Sequence, residues 1–153
     1  MRAQLIHSSD YRVMPWKNGG GQTTELAIEP RTATLEEGFQ WRVSMADVGT
    51  DGPFSPFPDY ERTLMLLQGK GLDLDFNGHG RKRLETLLDP IQFSGDWSAK
   101  SALLDGPCRD FNVITRKGLK HRIAVLRPEP RAVLPEAPTR LLYGVRGKAS
   151  VSP

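Results

Sequence analysis

Apolar and polar positions in this chain alternate in short runs that glycine and proline keep cutting, 15 and 12 of them among 153 residues. No window holds the i, i+3, i+4, i+7 apolar spacing of an amphipathic helix. Runs of four to nine residues bounded by turn formers predict antiparallel strands in a sandwich or barrel. The expected strands are Gln4 to His7, Gln22 to Glu29, Gln40 to Val48, Arg62 to Gln68, Leu72 to Phe76, Lys82 to Leu87, Trp97 to Leu104, Phe111 to Arg116 and Lys120 to Leu126. The clearest alternation puts Trp41, Val43 and Met45 on one face and Arg42, Ser44 and Ala46 on the other. With the apolar set on the core, the Arg42/Ser44 face meets either water or a polar cavity.

Turn chemistry fills in the connections. Gln68-Gly69-Lys70-Gly71 and Asn77-Gly78-His79-Gly80 read as tight hairpins, and Asp89 to Asp96 as a further turn before Trp97. Asp51 to Arg62 is a loop stiffened by Pro53, Pro56 and Pro58, so it can be ordered without ladder bonds. Its Phe54 and Phe57 are placed to close a barrel mouth, and Arg62 at its exit is either an anion ligand or a partner of a carboxylate such as Asp59. Asp110 and Asn112, two apart on a strand, share one face. A proline-rich connector begins at Arg127 and extends to Pro138. Beyond it, Arg140 to Lys148 repeats the order of Arg62 to Lys70, an arginine, an apolar run and then Gly-Lys. Such a repeat implies a second, incomplete half. The expected division is therefore a β-barrel over residues 1–126, then a connector and the start of a second half over 127–153.

Trp16-Lys17-Asn18-Gly19-Gly20-Gly21 stands out from this background. Consecutive glycines are kept where backbone turns through positive φ or where something must approach bare peptide. An indole, an ammonium, a carboxamide and free N–H groups in one turn suit a small anion. The alternative is a glycine-rich connection with Trp16 plugging the core.

Composition narrows the function classes. Hydrophobic content of 38% and charged content of 25% are those of a folded globular chain. No apolar run approaches a membrane span, no signal-peptide core is present, and the lone Cys108 excludes an intrachain disulfide, so the expected location is the cytoplasm. The net charge of +3 raises nucleic acid as a partner. The basic residues are dispersed along strand-like segments, however, and no helix-turn-helix, zinc-finger or ribonucleoprotein pattern accompanies them.

Six blocks in order, Pro15 to Gly21, Trp41 to Ala46, Asp51 to Pro58, Arg62 to Gly69, Phe93 to Asp96 and Asp110 to Asn112, closely resemble the HutD/Ves family. The resemblance implies an all-β, cupin-type (RmlC-like) antiparallel barrel, usually as two cupin halves, here with an incomplete second half. It implies an accessory or regulatory role in bacterial histidine utilisation, with formate or a formylated amino acid as ligand. Three departures stand out. Thr24 replaces a common arginine, Val113 replaces a common methionine, and the chain is short, leaving a final strand edge open to pairing with another copy.

His7, His79 and His121 lack the spacing of a metal site, and neither Cys108 nor Ser55 lies in a nucleophile motif, so no metal, cofactor or catalytic residue is assigned. The expected site is a metal-free carboxylate pocket. Lys17, Arg42 and Arg62 supply charge, and Asn18, Ser44, Ser55, Asn112 and the peptides of Gly19 and Gly20 supply hydrogen bonds. Trp16, Phe54 and Phe57 exclude water, while Glu25 and Asp110 orient the cations or act as acid and base. The competing reading is a metal-free enzyme, an isomerase or hydrolase of a small polar metabolite.

Overall fold

The computed structural model describes residues 4–127, 133–134, 136–147 and 150. Its strands are β1 (Arg12–Pro15), β2 (Gly21–Glu29), β3 (Trp41–Val48), β4 (Gly52–Phe54), β5 (Tyr60–Gln68), β6 (Leu72–Asp75), β7 (Arg81–Leu84), β8 (Pro90–Ser94), β9 (Ala99–Leu103) and β10 (Cys108–Arg116). They form a six-stranded sheet in the order β1-β2-β3-β10-β5-β8 and a four-stranded sheet in the order β4-β9-β6-β7. Every pairing between named strands is antiparallel. Among the described residues no helix is long and apolar enough to cross a membrane.

The sheets face each other across a core in which Ala46, Val48, Leu64, Leu66, Phe93 and Cys108 of the larger sheet meet Leu72, Leu74, Phe76, Leu84 and Ala99 of the smaller. This fixes the inner face of β3 as Arg42, Ser44, Ala46 and Val48. The outer face is buried as well: Leu26, Val43, Met65 and Phe111 cluster there with Trp41, Met45, Val113, Ile123 and Tyr143. Alternation alone could not show this, because apolar residues occupy one face and a mixture of polar and apolar residues the other.

Five sequence expectations are corrected. No strand forms over Gln4 to His7; a 3-10 turn at Ser8–Asp10 leads instead into β1, a short edge strand whose Pro15 lies opposite Gln22. The segment read as a turn before Trp97 contains β8, which pairs with β5; Pro90 begins it on a sheet edge, where its missing N–H breaks no interior ladder. Three residues of the proline-rich loop form β4 against β9. Lys120 to Leu126, though alternating, finds no strand partner. It runs irregularly over the outer face, where both ring nitrogens of His121 hydrogen-bond to hydroxyls, Nε2 with Thr63 at 2.9 Å and Nδ1 with Thr115 at 3.0 Å. Residues 140–147, where the internal repeat implies another strand, are also irregular, and Tyr143 among them donates its hydroxyl to Met45 Sδ at 3.1 Å. Lys148 and the chain end at residues 151–153 lie outside the described residues.

Candidate functional site

Strand register collects the polar inner-face residues into three adjacent rows. Glu25 lies opposite Ser44, Ser44 opposite Asn112, and Asn112 opposite Leu64. The next row carries Ile28, Arg42, Ile114, Arg62 and Phe93, and the row on the other side carries Thr23, Ala46, Asp110 and Leu66. Arg42, Ser44, Arg62 and Asn112 of the expected pocket, together with Glu25 and Asp110, thus share one face, all of them buried.

Within the cluster, Arg42 Nε donates to Glu25 Oε2 at 2.7 Å, both side chains being 4% exposed. The other Glu25 oxygen accepts from the more exposed Arg12, at 2.9 Å from its Nε. One carboxylate therefore holds two guanidinium groups, which is the geometry that makes burial of a charge tolerable.

Among the described residues no carboxylate forms an ion pair with Arg62. Its guanidinium lies 5.0, 5.2 and 5.3 Å from the ring centroids of Phe54, Phe57 and Phe93. Its Nη1 donates to the Ser55 carbonyl at 2.9 Å, while its buried Nε has no hydrogen-bond partner. Ser55 thus contributes backbone, its side chain lying on an exposed residue, and no ion pair joins Arg62 to Asp59 among the described residues. Burial pulls the Arg62 guanidinium down to about 10, against the opposing field of Asp110 and aided by that of Arg42.

Asp110 is fully buried, and neither carboxylate oxygen has a hydrogen-bond partner among the described residues. Burial pushes its carboxyl up to about 7, with Arg62 opposing and Asp47 adding to the rise. Two residues on, the Asn112 side-chain oxygen is likewise buried and unpaired. Buried polar atoms in native proteins are nearly always satisfied, so four orphans on one sheet face (Arg62 Nε, both Asp110 oxygens, Asn112 Oδ1) mark a place with its own chemistry.

The glycine turn is not part of this place. Gly21 lies opposite Val48 and Ile28 opposite Arg42, so the turn and the arginine row are separated by six residues of β3, roughly 20 Å at strand rise. Lys17, Asn18 and Gly19 are exposed there. Asn18 Oδ1 accepts from Gly20 N at 2.9 Å, closing the turn on itself, and Gly19 takes φ +70°. A side chain on Gly21 would overlap the Asp47 carbonyl oxygen and one on Gly20 the Thr50 hydroxyl, so the close approach is made by the chain's own neighbouring segment. Trp16 packs against the core, its Nε1 donating to Thr23 Oγ1 at 2.9 Å.

Sequence reasoning missed two participants. Phe93 went unassigned because its segment was read as a turn, although Ile91 and Phe93 flanking Gln92 carry a strand alternation. Arg12 belongs to an edge strand too short to show a period. Arg62 also contributes to the lining of a surface hollow of about 310 Å³ over β5, with Glu61, Thr63, Gln92, Thr115, Leu119, Lys120 and His121, whereas Asp110 and Asn112 do not line it. No group of three or more His, Cys, Asp or Glu among the described residues is arranged to hold a metal ion.

The HutD family model matches residues 8–153. An uncharacterized 21.2 kDa protein in the hutC 3' region of Pseudomonas putida is 41% identical over 111 residues, covering 72% of this chain and 57% of that one. Protein Ves of Escherichia fergusonii is 40% identical over 111 residues, covering 70% and 56%. The chain thus spans a little over half the length of these relatives. The solved structure of HutD from Pseudomonas fluorescens superposes with TM-score 0.65 at 42% identity, covering 73% of this chain and 59% of that one. KdgF from Halomonas, at 12% identity and TM-score 0.54, shares the all-β, cupin-type fold over 76% of this chain and 96% of its own. By the family model and by these relatives, the chain belongs to the HutD family.

Proposed function

We propose that this protein binds a small carboxylate, formate or a formylated amino acid, in the buried cluster around Arg62. Its role in this reading is accessory or regulatory, in histidine utilisation. The observation that carries the reading is Arg62 itself, a buried guanidinium with no carboxylate paired to it and an unpartnered Nε–H. A carboxylate is the group best shaped for that donor, and burial strengthens the resulting charge-assisted bond. Phe54, Phe57 and Phe93 keep water from competing, and Arg42, Ser44 and Asn112 lie on the same face of the sheet. The hutC-region relative and the HutD structure, solved in a formate condition, support the choice of pathway and ligand. The same reading takes residues 1–126 as one barrel of a two-cupin architecture.

Isothermal titration with formate, formylglutamate, glutamate and urocanate tests it. One of these binds with a dissociation constant below about 1 mM, and Arg62→Met weakens that binding at least tenfold while Lys17→Met, at the far end of the sheet, leaves it unchanged. Binding that survives Arg62→Met ends the reading. The unpaired Asp110, poised near neutrality, favours a second reading in which a bound metabolite is isomerised or hydrolysed. Turnover during prolonged incubation, followed by proton NMR, separates an enzyme from a binding protein.

A further inference from the structure

The charges around Arg62 have a consequence for what can enter. Glu25 and Arg42 satisfy each other, with Arg12 as a second cation at the rim. That leaves Arg62 and Asp110 as the side chains with unpartnered buried charge-bearing atoms on the inner face among the described residues. With Asp110 ionised, the two cancel and the interior has no uncompensated charge to offer an anion. An entering carboxylate would then lie near the Asp110 oxygens with no proton between them, and two carboxylates cannot both stay charged in one desolvated site.

We propose that the protein takes up its carboxylate together with one proton, which is held on Asp110. This rests on the carboxylate reading above. One proton moves from solvent to an Asp110 oxygen. The neutral carboxyl then donates to the ligand, and Arg62 is freed to be the counter-ion of the incoming anion. The orphaned oxygens of Asp110 are thereby satisfied by ligand binding rather than by a protein partner.

The surroundings of Asp110 contain no other group suited to the task. On its own strand Cys108 is buried, its thiol pushed up to about 11 by burial and by Asp110, so it stays protonated. From β3, Asp47 is held ionised by Arg109 and Gln22, and Arg42 is bound to Glu25 of β2. From β5 comes the apolar Leu66, directly opposite Asp110, with Arg62 two inner-face rows away opposite Ile114. The four-stranded sheet packs over this face with Leu72, Leu74 and Phe54, which do not titrate. Burial of Asp110 places its own proton exchange near neutrality, where linkage to a ligand is measurable.

Formate is the probe. Titration of the whole chain at pH 8 in two buffers of different ionisation enthalpy gives the number of protons exchanged, and close to one proton is taken up per formate. Uptake falls toward zero near pH 5.5, where Asp110 is already protonated. The dissociation constant rises about tenfold per pH unit above the Asp110 midpoint. Asp110→Asn, close in shape and uncharged, binds formate with pH-independent affinity and no proton uptake, and outbinds the wild type at pH 8.5. Formate binding without proton uptake at pH 8, or uptake that persists in Asp110→Asn, overturns the coupling and leaves the carboxylate reading standing. Failure of both proteins to bind any tested carboxylate between pH 5.5 and 8.5 removes that reading, and the coupling with it.

Discussion

Replacing Glu25 by leucine leaves the Arg42 guanidinium buried, at 3% exposure, without the carboxylate 2.7 Å away that now compensates it. Breaking a buried pair on one side costs about 3–5 kcal/mol, because the surviving charge keeps its desolvation penalty. Arg12, more than half exposed, swings into water and adds no more than about 1 kcal/mol. For a chain of this size such a loss lowers the melting temperature by roughly 6–20 °C. Adding Arg42→Met removes the stranded charge and fills its volume with apolar atoms. The double variant therefore recovers most of the loss and can equal the wild type, since buried pairs are often no better than well-packed apolar residues. Urea titrations at pH 7 of the wild type, the Glu25→Leu and Arg42→Met single variants and the double variant give the coupling energy directly. A cost for Glu25→Leu below about 1 kcal/mol, or a double variant no more stable than that single, would refute the reasoning.

Three further outcomes follow from the same geometry. Asp110 has its folded-state value raised above the unfolded one, so between about pH 4 and 7 the unfolded chain has released a proton that the native state still holds, and stability falls as pH rises through that window. Asp110→Asn removes this term and is more stable than the wild type at pH 8 by roughly 1–3 kcal/mol, an advantage that shrinks toward pH 4 in denaturant titrations. Gly21→Ala drives a methyl into the Asp47 carbonyl and destabilises by roughly 1–3 kcal/mol, whereas Gly106→Ala meets no atom within 4 Å and carries only the strain of φ +68°; chemical denaturation separates the two costs. Cys108, buried and with its thiol pushed up to about 11, reacts with a disulfide reagent at pH 8 only on unfolding, so rapid labelling of the native protein would contradict its placement.

The sequence carried much of the fold, and the reasons it carried no more are local. β2, β3, β5 and β10 are long and alternate or run apolar, and each was legible within a few residues. β1, β4 and β8 are three to five residues long and contain a proline, so turn chemistry outvoted strand chemistry in each. Lys120 to Leu126 had the alternation but no partner, and pairing is a property of the whole sheet rather than of the segment. Within the site, period-two spacing placed Arg42 with Ser44 and Asp110 with Asn112, and register then joined the two pairs. The glycine run misled because it answers a backbone crowding that only the neighbouring Asp47–Thr50 turn reveals. The unpaired state of Asp110 and Arg62 was likewise invisible, since a missing partner is a statement about every other residue.

The ring box around Arg62 ties two scales together. Phe54, Ser55 and Phe57 all belong to the surface loop between β3 and β5, and all three touch the one guanidinium. That segment is therefore held twice, by the short β4–β9 ladder at Gly52–Phe54 and by the buried ion that Ser55 and Phe57 meet just beyond it. A guest that took the Arg62 guanidinium for itself would leave the Ser55 carbonyl without its donor, so a change in the buried row would be felt first in this surface segment.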